Sequence, residues 1–191
     1  MKLLSEMGRY ATVVIDPPWP VKPFEFKRSG LSLSNNIDYP TVPLEAIGEM
    51  PVADVLADDA LVFCWTVNRF LPYSFNIMGE WGLAYAYTMT WVKPGGVQVP
   101  GSPQFNAEWC IVGRKGRPQY RETKAFSTAN HWPRGAHSEK PDGFYDLLRR
   151  VTPGPRLDIF GRRRIAGFDS WGNEAPDGPA LPDHYQQVLL G

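Results

Sequence analysis

The stretch Ala11-Thr12-Val13-Val14-Ile15-Asp16-Pro17-Pro18-Trp19 decides the fold. Its first five residues are apolar or β-branched and spell a buried strand. The strand must stop at Asp16, because the two prolines that follow have no N–H to give to a ladder. It therefore delivers a carboxylate to its C-terminal end, the edge of an open α/β sheet at which ligands bind. Outward from it, similar runs predict strands over residues 60–65 (ALVFCW), 87–92 (YTMTWV), 108–112 (EWCIV), 157–160 (LDIF) and 168–171 (FDSW). Helices are predicted over 43–50, over 69–82 in spite of Pro72, and from Pro141, which suits a first helical turn. In that last helix Phe144, Leu147, Leu148 and Val151 fall at i, i+3, i+4 and i+7 on one face. Strands alternating with helices give an α/β fold. Residues 21–36 and 117–139 show no period and read as long loops, the first expected to cover the site. The expected division is one domain over residues 1–175 and a proline-rich extension over 176–191.

Composition narrows the function classes. The 191 residues carry 20 basic and 20 acidic side chains, so no global field draws the chain to nucleic acid or to a membrane. Any nucleic-acid contact must come from local patches. Cys64 and Cys110 lie inside apolar runs and read as small buried hydrophobes, no Cys/His spacing suggests zinc or another metal site, and nothing resembles a signal peptide or membrane span. A cytoplasmic location is expected. Seven Trp, eight Tyr and ten Phe make 13% of the chain, and several stand beside Pro or Gly, where flat rings can stack on bases.

Asp-Pro-Pro-Trp at a strand end suits one chemical task. The exocyclic N6 of adenine is a poor nucleophile because its lone pair is delocalised into the ring. The Asp16 carboxylate can accept one N–H and the carbonyl of Pro17 or Pro18 the other, favouring a pyramidal nitrogen. Trp19 can stack on the target base, which must leave its helix or already be single-stranded. The alternative is a strand-ending corner in which Asp16 caps and Pro17-Pro18-Trp19 only packs.

Over roughly residues 9–174 the chain resembles the MT-A70 family of adenine-N6 methyltransferases. The resemblance rests on ATVVIDPPW (11–19), Tyr39-Pro40-Thr41, Met50-Pro51-Val52, LVFCWTV (61–67), Trp91-Val92-Lys93, EWCIVGRKG (108–116), HSEKP (137–141), LDIFGR (157–162) and Trp171-Gly172-Asn173-Glu174, in the family's order. It implies a Rossmann-like S-adenosylmethionine-dependent methyltransferase fold, with a mixed central sheet flanked by helices and the catalytic segment ahead of the cofactor strand. It also implies that Lys140 reaches the cofactor carboxylate and that Asn173 and Glu174 hold the ribose. Asp158, Phe160, Gly161, Arg162 and Arg164 would line the methionine or ribose end, and Asp16 would hold the cofactor's ammonium. Arg163 is expected to point to solvent. The family's upstream segment lining the cofactor adenine is expected to be shortened here.

Substrate contacts are read at Tyr39, which packs on the target base, gates it, or merely anchors a loop. Others are read at Arg114 and Lys115, part of a basic-aromatic run through Tyr120-Arg121 that is either a phosphate contact or a solvated face. His137 could reach the cofactor carboxylate. The leading function is methylation of adenine N6 in DNA by in-line displacement, DNA being preferred because the chain is small and unadorned. Its rivals are the same reaction on RNA and a catalytically silent nucleic-acid-binding subunit. With no separate target-recognition domain, specificity is expected from the two long loops, from a second copy of the chain as a homodimer, or from a partner subunit. The absence of GxGxxG argues against a nicotinamide enzyme, and an Asp rather than Ser or Thr at the motif's first position argues against a cytosine-N4 enzyme.

Overall fold

The computed structural model describes residues 3–21, 24–28, 31–35, 41–95, 101–135 and 139–172, with backbone alone for 24–28 and 31–35. The expected boundary at residue 175 lies outside them. Strand β1 (Tyr10–Ile15) is followed by a hairpin of β2 (Phe24–Arg28) and β3 (Leu31–Asn35). Helix α1 (Leu44–Gly48) leads to β4 (Leu56–Thr66), α2 (Leu71–Glu80), β5 (Ala84–Val92), β6 (Ala107–Lys115) and the two-residue β7 (Ala129–Asn130). Helix α3 (Asp142–Val151), β8 (Arg156–Ile159) and β9 (Asp169–Trp171) complete the described chain.

Seven strands form one sheet in the order β7-β5-β6-β4-β1-β8-β9. Strand β1 pairs in parallel with β4 on one side and β8 on the other, whereas β6 runs antiparallel to both of its neighbours, β4 and β5. This is the mixed, helix-flanked sheet of the Rossmann-like methyltransferase fold. Strand β1 is covered on both faces, which is why its sequence is apolar without interruption. Alternation along the strands sorts the core into two layers. Val13, Ile15, Val62 and Cys64 pack with Ile47 of α1 and Ile77 of α2, while Val14, Phe63 and Trp65 pack with Phe144 and Leu148 of α3.

The stripe predicted for α3 is buried, and Tyr145 is buried with it. Pro141 sits one residue ahead of that helix, at its N-cap. Pro72 is tolerated because it occupies the first turn of α2, where the missing N–H has no carbonyl to reach, and the residues before it (Asn68–Phe70) form a 3-10 turn. Residues 21–36 depart from expectation. Instead of an aperiodic loop, 24–28 and 31–35 pair antiparallel with Phe26 opposite Leu33, apart from the main sheet. Phe24-Glu25-Phe26 and Leu31-Ser32-Leu33 alternate with period two, the pattern such a hairpin needs. No helix among the described residues is long and apolar enough to cross a membrane.

Candidate active site

Chain order reverses at β1, which leads to β4 on one side and lies beside β8 on the other, so the C-terminal ends of β1 and β8 open a crevice between them. The Asp16 N–H donates to the Ile159 carbonyl at 3.3 Å and ties the Asp16–Trp19 segment to that neighbour. Both proline carbonyls are partly engaged: Pro17 O accepts Trp19 N–H and Pro18 O accepts Val42 N–H, each at 2.8 Å. A carbonyl oxygen has two lone pairs. Each proline carbonyl therefore retains one, and the other holds the segment in place.

Trp19 packs inward and is not among the residues that line the cleft. It is 4% exposed, lies parallel to Phe70 with ring centroids 5.5 Å apart, and donates its indole N–H to the Trp65 carbonyl at 2.9 Å. The reason is local. The tight turn closed by Pro17 O turns residue 19 inward, and an indole buried there needs a hydrogen-bond acceptor, which the end of β4 supplies.

Lys140 stands at the centre of the site. Its ammonium lies 2.9 Å from Asp16 Oδ2 and 3.2 Å from Glu108 Oε2, and 5.4 Å from the centre of the Trp65 ring, with only 11% of its side chain exposed. Glu108 also pairs with Lys93, which lies over the ring of Trp91. The result is an alternating chain, Asp16-Lys140-Glu108-Lys93. Burial works against the charged lysine, but Asp16 and Glu108 outweigh it and hold the Lys140 ammonium well above its ordinary pKa. Burial also lifts Asp16, an effect Lys140 partly offsets. For Glu108, burial is outweighed by Lys140 and Lys93, so its carboxyl is held below the usual range.

The turn after β8 forms the other wall. Phe160 adopts φ +66°, a left-handed conformation rare for a side chain of this size, and its N–H donates to Trp171 O at 2.7 Å. A Cβ on Gly161 would stand 2.5 Å from Asp158 Oδ2, so only glycine lets the backbone lie against that carboxylate. Asp158 is 1% exposed, accepts a hydrogen bond from the Tyr145 hydroxyl at 3.0 Å, and is pushed up by burial to about 7. Asp16, Lys140, Tyr145, Asp158, Gly161 and Arg162 line one cleft.

Phe160 also lines the cleft, whereas Arg164 is exposed and is not among its walls. Arg163 does not point to solvent. It pairs with Asp142, donates to the Lys140 carbonyl at 3.3 Å and lies over the Tyr145 ring, bracing the start of α3 from within the cleft wall. Trp132 is half-buried against Phe144, and its carbonyl takes the Trp91 indole N–H. Cys64 and Cys110 are buried and unbridged, with thiols pushed up by burial. Tyr39, His137, Asn173 and Glu174 lie outside the described residues.

Arg114 and Lys115 are not brought together with Asp16. Because β6 is antiparallel, Thr66 at the C-terminal end of β4 faces Trp109, and Ala60 at the other end faces Lys115. The basic pair thus sits at the opposite edge of the sheet from Asp16, where Arg114 donates to the Gly116 carbonyl and Lys115 to the Leu56 carbonyl. The same reversal brings Glu108, at the start of β6, into the site. Glu108, Lys93 and Tyr145 were not singled out in the sequence. Glu108 and Lys93 had a signal in the segments EWCIVGRKG and Trp91-Val92-Lys93, whereas Tyr145 was hidden beside an apolar stripe.

The MT-A70 family profile matches residues 10–174. The type II methyltransferase M.MunI of a Mycoplasma species is 29% identical over 185 residues, covering 88% of this chain and 79% of that protein. The N6-methyladenosine RNA methyltransferase MTA1 of Pyricularia oryzae is 30% identical, covering 90% of this chain and 48% of its own length. The human N(6)-adenosine-methyltransferase catalytic subunit METTL3 is 26% identical over 83% of this chain and 27% of its own length. The chain thus spans most of the first of these proteins, about half of the second and about a quarter of the third. With the profile covering the catalytic segment, the charged chain around Lys140 and the β8 turn together, the chain belongs to the MT-A70 family of methyltransferases.

Proposed function

We propose that this enzyme transfers the methyl group of S-adenosylmethionine to the N6 amine of adenine in DNA. The observation that carries the reading is the placement of Asp16 at the C-terminal end of β1, 2.9 Å from Lys140 and in one cleft with the Gly161 turn. The donor set fits the cofactor. Lys140 is a buried cation suited to the methionine carboxylate, Asp16 is an anion suited to the ammonium, and glycine at 161 leaves the backbone bare for close approach.

When bound, S-adenosylmethionine supplies an electrophilic methyl carbon on a cationic sulfur. The chain's residues prepare the nucleophile. Asp16 accepts one N6–H and the free lone pair of Pro17 or Pro18 accepts the other, which localises the nitrogen lone pair for in-line attack. With the cofactor bound, methyl transfer to N6 would be in line, and Asp16 would accept the surplus N6 proton and pass it to water. Lys140 and Glu108 fix where the Asp16 carboxylate stands. The target adenine must be extruded or single-stranded to reach this edge.

DNA is favoured because, of the three relatives described, the type II methyltransferase is the one whose length this chain nearly spans. RNA is the second reading, supported by similarity to N6-methyladenosine RNA methyltransferases. Both assign a nucleic acid as partner. A silent subunit is disfavoured by the intact Asp16-Lys140 pair. Incubation with S-adenosylmethionine labelled in its methyl group and with DNA or RNA oligonucleotides, followed by nucleoside analysis, tests the proposal. Label is expected in N6-methyldeoxyadenosine, and Asp16→Ala should lower the rate by at least about a hundredfold. Equal labelling by that variant overturns the mechanism, and cofactor binding without any transfer favours the silent subunit.

A further inference from the structure

Tyr145 and Asp158 form a buried pair that the transfer step leaves unused. Tyr145, in α3, donates to Asp158 Oδ2 at 3.0 Å, and both residues line the cleft. That same oxygen lies against Gly161, so the carboxylate sits directly beneath the backbone of the β8 turn. The charged and titratable groups around it are Tyr145 from α3, Lys140 just ahead of that helix, Asp16 from the end of β1, and Arg163 from the segment after β8.

We infer that Tyr145 is a positioning residue for the cofactor, acting through Asp158: its hydroxyl holds that carboxylate ionised beneath the Phe160-Gly161 turn, where the negative charge favours the cationic end of S-adenosylmethionine. This rests on the cofactor assigned above. A carboxyl with 1% exposure tends to take up a proton, because burial disfavours its charged form. Burial places Asp158 at about 7, with Asp16 adding to the rise, while the Tyr145 hydrogen bond and the charges of Lys140 and Arg163 oppose it. The group is therefore poised near neutrality, and removal of one donor tips it to the neutral acid. The sign follows. Affinity for a cationic ligand rises as pH passes upward through the Asp158 titration and falls below it.

Tyr145→Phe isolates the hydroxyl, since the ring keeps its edge contacts with Phe144 and Phe168. The test is calorimetric binding of S-adenosylmethionine to the full chain, to Tyr145→Phe and to Asp158→Asn, between about pH 6 and 8, with folding followed by circular dichroism. The parent should bind more tightly as pH rises, with a midpoint near 7. Tyr145→Phe should move that midpoint alkaline by about one pH unit, so that binding near neutrality weakens several-fold and recovers toward pH 8. Asp158→Asn should bind weakly with no pH step. An unchanged midpoint in folded Tyr145→Phe, or a step that survives Asp158→Asn, overturns the assignment. Where Tyr145→Phe does not fold, Tyr145→Met, which also removes the hydroxyl that bonds Asp158, carries the same midpoint test. No binding by the parent at any pH would overturn the cofactor reading itself, a different outcome from binding that ignores pH.

Discussion

Lys140 touches both Asp16 and Glu108, and the two contacts have different consequences. The Asp16 contact lies on the reacting edge, whereas Glu108 acts at one remove by keeping the ammonium in place. Glu108→Gln retains shape but removes the charge that shares Lys140 with Asp16. The loss of a charged hydrogen-bond partner is about 2 kcal/mol, which corresponds to roughly thirtyfold in kcat/KM. Steady-state kinetics on the variant checks this, and a fall below threefold would show that Asp16 alone positions Lys140. The same carboxyl has a stability signature. Its folded pKa is held low by Lys140 and Lys93 against the opposing effect of burial. Its contribution is therefore complete above the ordinary glutamate value of about 4.3 and is lost as pH falls through the depressed folded value. Acid unfolding of Glu108→Gln, followed by circular dichroism, should lack that part of the parent's pH dependence.

At the scale of elements, the Asp16–Trp19 tetrapeptide joins a cleft-lining carboxylate to a buried anchor. Asp16 lines the cleft beyond the end of β1, while Trp19 fastens the segment to β4 through Trp65 O and to the turn before α2 through Phe70. Trp19→Phe preserves an aromatic ring and removes one buried hydrogen bond to the Trp65 carbonyl, which keeps a weak contact from the Cys64 thiol, at a cost of about 1 kcal/mol. Chemical denaturation should show that loss, with nucleic-acid affinity of the folded fraction unchanged. A selective loss of affinity without loss of stability would restore Trp19 as a base platform. The β8 turn is similarly strict. Gly161→Ala places a methyl group against Asp158 Oδ2 and should cost about 1 to 3 kcal/mol from overpacking, read in the same denaturation experiment, together with weakened cofactor binding.

For the whole molecule, the polarity of β6 decides which residues share the site. Roughly 20 Å of strand separates Glu108 from Lys115 at about 3.3 Å per residue. Glu108 begins β6 at the edge where the parallel strands end, and Arg114 and Lys115 finish at the far edge. On the proposed function, nucleic acid reaches Asp16 from the first edge. The double variant Arg114→Ala/Lys115→Ala should therefore keep its DNA affinity within about twofold and leave the salt dependence of binding unchanged, where two phosphate contacts would lower the log–log slope by about two. Fluorescence anisotropy over a salt series measures both quantities.

The sequence by itself determined the α/β class, the buried strand ending at Asp16, the α3 stripe and the burial of both cysteines, because apolar periodicity and proline's missing N–H act locally along the chain. It also marked Lys140, Asp158 and Gly161, which the structure brings into one cleft. Tertiary structure alone decided that Trp19 faces inward, that Arg163 folds back over Tyr145, and that Glu108 rather than Arg114 or Lys115 meets Lys140. Residue periodicity encodes which face of a strand is buried, but neither the direction in which that strand enters the sheet nor the partner across it. Those are fixed only when β6 packs antiparallel beside β4, and with them the charges that surround Asp16.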